Sequence, residues 1–324
     1  MKITRRTFLK GSAMAGAMTV LPKVDAYAAP APQSYATLID LTKCDGCAGQ
    51  ESPLCVAACR RERAASFPEP AQDQLRDYWP QKKHEDWSNK RHLTDRFTPY
   101  NWLFVQQVQV GEHVLSLPRR CMHCDNPPCV KLCPFGINHK SEEGPVHINQ
   151  NLCLGGAKCR TVCPWSVPQR QAGVGLYTMW QEYLPVGGGV MYKCDLCKDE
   201  LAVGGTPHCI SACPKDAMAI GKREEIFSLA RQLKSDYNGD IYGLDENGGT
   251  STIYVSPVPF AEIDEALQQQ AQETGNKQTV RLNNPENMLD KQKGLALLSL
   301  VAPVAGAAAA LGLTGRKDSG EDQR

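Results

Sequence analysis

Residues 121–134 read "CMHCDNPPCVKLCP", with Cys121, Cys124, Cys129 and Cys133 separated by two, four and three residues and closed by Pro134. A C-x2-C loop wraps one side of an iron–sulfur centre with its backbone N–H groups aimed at the sulfurs. A later cysteine supplies another corner, and the last lies beyond the loop, where it reaches a neighbouring centre. The proline that follows lacks an N–H and fixes φ, so the chain turns away there.

Outward from this stretch the pattern recurs. Upstream lies "CDGCAGQESPLCVAAC", with Cys44, Cys47, Cys55 and Cys59. Downstream come "CLGGAKCRTVCP", with Cys153, Cys159 and Cys163, and "CDLCKDELAVGGTPHCISACP", with Cys194, Cys197, Cys209 and Cys213. These runs use all fifteen cysteines, and each ends in C-x3-C. Cys-Pro closes three of them, at Pro134, Pro164 and Pro214, and in the third run Gly156 stands where a cysteine belongs. In two-cluster bacterial ferredoxins the fourth cysteine ligates the other cluster, and the four runs read as that arrangement used twice. Paired C-x2-C loops also suit a four-thiolate zinc site. An exported disulfide or zinc structural protein is therefore the alternative of another class, although fifteen is odd and sparse in 324 residues for a disulfide scaffold.

The ends bear on the compartment. Arg5 and Arg6 are followed by Phe8, Leu9 and Lys10, a weakly apolar run to Leu21, and an Ala26-Tyr27-Ala28 exit. Residues 1–28 resemble a Tat export signal, which implies the Tat translocase as a partner and a body folded around its cofactor before export. Removing them takes five basic and one acidic residue from the 36 and 35 of the full chain and leaves a net charge of −3, in which nothing suggests a nucleic-acid partner. At the other end, residues 294–315 are 22 residues without charge. As a helix they span roughly 33 Å, enough to cross a bilayer, so a C-terminal transmembrane helix with a cytoplasmic tail, 316–324, is expected.

Between the ends, "SYATLIDLTKC", "GPVHINQNLC" and "DAMAIG" read as short strands at the cysteine runs, and 223–236 as an amphipathic helix ending near Asn238-Gly239. The expected fold class is α+β. A ferredoxin-like domain spans 29–222 with an insertion at 60–118, followed by a helix and docking arm over 223–290 that holds one strand, "STIYVS".

The ordered runs, the wordings "CMHCDNPPC" and "CDLC…CISACPKDA", the Tat signal, the apolar C-terminus and "DWSN…LTDRFTPYNW" at 86–102 resemble the iron–sulfur subunit of periplasm-facing respiratory [NiFe] hydrogenases, the HybA type. The wider group includes the electron-transfer subunits of formate dehydrogenase and other molybdopterin reductases. The resemblance implies that runs one and four interlock, as do two and three. Cys44, Cys47, Cys55 and Cys213 would hold one [4Fe–4S] cluster, Cys194, Cys197, Cys209 and Cys59 a second, and Cys121, Cys124, Cys129 and Cys163 a third. Cys153, Cys159 and Cys133 remain, three thiolates with Gly156 at the missing-ligand position, as some relatives present to a [3Fe–4S] cluster. The HybA type usually has sixteen cysteines, and the seven residues between Cys47 and Cys55 depart from its spacing of two. No catalytic constellation stands out. The implied role is electron transfer at the periplasmic face of the membrane, between a catalytic hydrogenase subunit, or a molybdopterin enzyme, and a quinone-reactive membrane subunit.

Overall fold

The computed structural model describes residues 34–78, 82–180, 187–275 and 280–290. The expected signal peptide, residues 294–315 and the tail lie outside them. Strand β1 (Tyr35–Asp40) leads into the first cysteine run and helix α1 (Leu54–Glu62). The stretch assigned as an insertion contains a hairpin of β2 (Phe104–Val110) and β3 (His113–Arg119), closed through Gly111 at φ 55°. The second run carries α2 (Pro128–Lys131) and is followed by the hairpin β4 (Asn138–Lys140) and β5 (Val146–Ile148). Helix α3 (Lys158–Thr161) belongs to the third run, and β6 (Gln169–Gln171) then pairs with β7 (Val190–Tyr192). The fourth run carries α4 (Lys198–Ala202) and α5 (His208–Ser211) and ends in β8 (Met218–Lys222). Helix α6 (Arg223–Tyr237), β9 (Asp240–Tyr242), β10 (Thr252–Ser256) and α7 (Phe260–Thr274) complete the described chain.

One sheet organises these pieces, in the order β8-β1-β10-β9. β1 pairs antiparallel with β8, Ile39 opposite Met218, which brings the first and fourth runs together. On its other edge it pairs parallel with β10, Thr37 opposite Thr252. Strand alternation sends Ala36 and Leu38 to one face. There they pack with Ile253 and Val255 against Ile226 and Ala230, the i, i+4 stripe of α6. Burial of each large aliphatic contributes roughly 1.5–3 kcal/mol. Ile39 belongs instead to the main core, with Trp102, Leu117, Trp165 and the buried cysteines.

The chain leading into β10 also holds the second run. Asp125, Ser251 and Thr252 donate their amides to the carbonyls of Gly249, His123 and Met122 at 2.9, 3.1 and 3.1 Å. Arg223, at the start of α6, donates to both carboxylate oxygens of Asp125, with Nη1–Oδ1 at 2.9 Å. Both side chains are about one-tenth exposed. Removing one partner of such a buried pair leaves the other charge uncompensated. Asp125→Ala is therefore expected to destabilise the protein by about 3–5 kcal/mol, read as an earlier guanidinium midpoint by circular dichroism; an unchanged midpoint would show that the pair contributes nothing net.

The transmembrane part of the expected fold class is corrected. No helix among the described residues is long and apolar enough to cross a membrane. The longest, α6 and α7, have 15 residues each and carry charged side chains. The described fold is α+β, with tandem ferredoxin-like units and no membrane helix in it.

Candidate functional site

The same loop is built four times. In each run the residue two places after the first cysteine is left-handed: Gly46 at φ 68°, His123 at 48°, Gly155 at 68° and Leu196 at 57°. For His123 and Leu196 this conformation costs on the order of 1–3 kcal/mol and persists where the surroundings over-determine it. In the first and fourth runs the loop is fastened by an aspartate, since Cys47 and Cys197 donate their N–H to Asp45 and Asp195 Oδ1 at 2.8 and 3.0 Å. The next cysteine always occupies the second position of a short helix: Cys55 in α1, Cys129 in α2, Cys159 in α3 and Cys209 in α5. Pro53, Pro127 and Pro207 precede three of these helices.

None of the fifteen cysteines forms a disulfide, and all are buried or half-buried. Cys44, Cys47, Cys55 and Cys213 border one cavity, site A. Cys59, Cys194, Cys197 and Cys209 border a second, site B. Cys121, Cys124, Cys129 and Cys163 form site C, close enough that, after burial, the charges of Cys129, Cys121 and Cys163 raise Cys124. Cys153, Cys159 and Cys133 are neighbours in site D. Burial pushes Cys44 up to about 11 and Cys129, Cys159 and Cys163 up to about 12. Thiolates here need a cation to offset lost hydration, which a metal centre supplies. Charge links the sites in sequence: the thiol of Cys209 in B raises Cys55 in A, Cys121 in C raises Cys194 in B, and Cys129 in C raises Cys159 in D, each after burial.

Site D keeps the loop without the ligand. The conformational demand falls on Gly155, where a Cβ would sit 2.4 Å from the Gly189 carbonyl oxygen. Gly156 lies outside the left-handed region, and a Cβ there meets only the Phe135 ring, at 3.7 Å. Nothing in the backbone requires glycine at 156.

Several donors reach the sulfurs. Amides of Leu54, Ala217, Met191 and Leu196 each lie 3.4 Å from the sulfurs of Cys47, Cys213, Cys153 and Cys194 respectively. Asn247 Nδ2 donates to Cys124 Sγ at 3.2 Å. Besides Arg170, which is paired with Glu85, two cations are buried against the sites, Lys193 and Arg120, at 4% and 2% exposure. Lys193 Nζ donates to the carbonyls of Val146 and Cys194. Two N–H groups of Arg120, Nε and Nη1, find no acceptor among the described residues. Clustered thiols facing buried cations with spare donors fit an anionic iron–sulfur group. Sequence reasoning missed both cations. The available signal is position, since each directly precedes the first cysteine of its run.

Comparison with known proteins agrees with this geometry. Two sequence profiles, each described as a 4Fe-4S dicluster domain, match residues 43–137 and 112–223, and the twin-arginine translocation pathway signal profile matches residues 2–22. The hydrogenase-2 operon protein HybA of Escherichia coli O157:H7 is 29% identical over 306 residues, 81% of this chain and 83% of the relative. The probable anaerobic dimethyl sulfoxide reductase chain YnfG of Escherichia coli K12 is 30% identical over 192 residues, 59% of this chain and 75% of the relative. The chain belongs to this family of iron–sulfur electron-transfer subunits. The thiosulfate reductase electron transfer subunit PhsB of Salmonella typhi is also similar, at 37% over 106 residues, 32% of this chain and 48% of the relative. As a family member the chain carries iron–sulfur clusters, serves electron transfer in a respiratory oxidoreductase, and bears the signal for Tat export to the periplasm.

Proposed function

We propose that the chain conducts electrons through four clusters in the order of sites A, B, C and D, between the catalytic subunits of a periplasmic [NiFe] hydrogenase and a quinone-reactive membrane subunit. Sites A, B and C hold [4Fe–4S] clusters on the cysteine sets given above, and site D holds [3Fe–4S] on Cys133, Cys153 and Cys159. The observation that carries this reading is the loop repeated four times with its left-handed third residue, which persists at Gly155 although the ligand position holds Gly156. The bound clusters supply one-electron chemistry. The chain's own part is to space them, exclude water and place donors against the sulfurs.

A hydrogenase partner is favoured by the reach of the similarity. The match to HybA extends over 306 residues, whereas the match to the reductase chain YnfG covers 192. Purification of the tagged chain from its anaerobically grown host is expected to bring down a nickel-containing large subunit. Hydrogen gas is then expected to bleach the visible absorption of the complex. A molybdenum-containing partner with no response to hydrogen would assign the chain to a reductase. Zinc in place of iron and acid-labile sulfide would overturn the electron-transfer assignment altogether.

A further inference from the structure

Arg120 is 2% exposed and lines the cavity of site B with Cys59, Cys194 and Cys209. A guanidinium remains charged at any pH a protein survives. Its Nη2 donates to the hydroxyl of Thr37 on β1, while Nε and Nη1 have no partner among the described residues. It makes no ion pair with a described carboxylate, and the thiols whose charge bears on it most are Cys209 and Cys194. A buried cation without an anion is costly, so the site requires a negative occupant on the cysteine side.

Lys193, the other buried cation beside site B, spends its ammonium hydrogen bonds on the carbonyls of Val146 and Cys194 and faces Cys121 and Cys129 of site C as well. Arg63, the second guanidinium there, is ion-paired with Asp195 at 3.0 Å. His123 adds a donor without charge: Val146 N–H donates to its Nδ1 at 2.9 Å, which leaves the proton on Nε2, 3.7 Å from Cys194 Sγ. At sites A, C and D the sulfur hydrogen bonds described above come from neutral amides. Site B therefore differs from the others in holding an uncompensated guanidinium.

We propose that Arg120 is the counter-ion of site B and sets its reduction potential. Its fixed charge and two spare N–H groups stabilise the reduced centre, which carries one more negative charge than the oxidised one, and so raise the potential above what four cysteines alone would give. Arg120 acts on that equilibrium from outside the ligand set and is a positioning and tuning residue, not a ligand. The inference rests on site B holding a four-iron cluster.

The test is an EPR-monitored redox titration of the full-length, anaerobically purified protein, with iron determined on every sample. Site B's signal is identified as the one altered in Cys194→Ser. Arg120→Gln is expected to keep its iron and to shift the reduction equilibrium of that signal at least tenfold toward the oxidised form, about 59 mV for one electron, with smaller shifts at the other sites. Arg120→Lys, which keeps the charge but loses the fork of donors, is expected to shift in the same direction by less and serves alone should the glutamine variant fail to fold. Iron-replete variants with an unmoved midpoint would overturn the role of Arg120. A Cys194→Ser protein that loses no iron and alters no signal would overturn the assignment of site B itself.

Discussion

Replacing Gly156 with cysteine is expected to raise the iron content of the anaerobically purified protein from about fifteen atoms per chain to about sixteen, on the ligand logic of three- and four-iron clusters. In the same step it should abolish the isotropic signal of an oxidised three-iron centre. Three thiolates of site D are in place, and the loop that would carry a fourth keeps the left-handed turn of the complete sites at Gly155. A side chain at 156 is free of strain, because its Cβ meets only the half-exposed ring of Phe135 at van der Waals distance. The new thiolate adds negative charge, so the site's potential should fall, slowing electron passage if the site lies on the main path. Wild-type protein with sixteen irons and no three-iron signal after mild oxidation would mean that another ligand completes site D. A variant still at fifteen would mean that the new thiol does not reach the cluster.

Export should collapse when Arg5 and Arg6 are both replaced by lysine. The pair is read as an address by a receptor, and charge alone does not substitute for it. Cell fractionation is expected to show cluster-loaded protein retained in the cytoplasm, with the periplasmic fraction reduced to background. Undiminished periplasmic accumulation of the double variant would remove the Tat assignment, although the twin-arginine signal profile covers residues 2–22.

Features set by local chemistry could be read from the chain. β1 and β8 are short runs set against cysteine runs, and α6 carries Ile226 and Ala230 one turn apart and stops at Asn238, at φ 48°. Other features depend on distant partners. The β2–β3 hairpin was hidden within a charged insertion, because Gln106 and Gln107 interrupt the alternation and Pro118 sits within a strand. Helix α7 was masked by Gln268, Gln269 and Gln270, although Phe260, Ile263 and Leu267 on one face are buried. "STIYVS" reads as a strand, but its place beside β1 is a pairing across more than two hundred residues that no local pattern encodes. At the sites, the four cysteine runs and their repeated loop were legible because thiolate spacing is stereotyped. Arg120 was not, because an arginine beside a cysteine looks the same in sequence whether it faces solvent or a buried cavity.

The position of β10 has a kinetic consequence. Its body is zipped to β1, beside sites A and B, while the residues entering it are bonded to the loop of site C. Electrons cross protein by tunnelling, at a rate that falls exponentially with the gap. A chain assembled from two such units is most vulnerable at the seam between them, where any hinge opening would throttle the current. β10 ties both sides of that seam together like a batten nailed across two boards, so on the proposed path the B-to-C gap would be held at a fixed span while partners dock at either end.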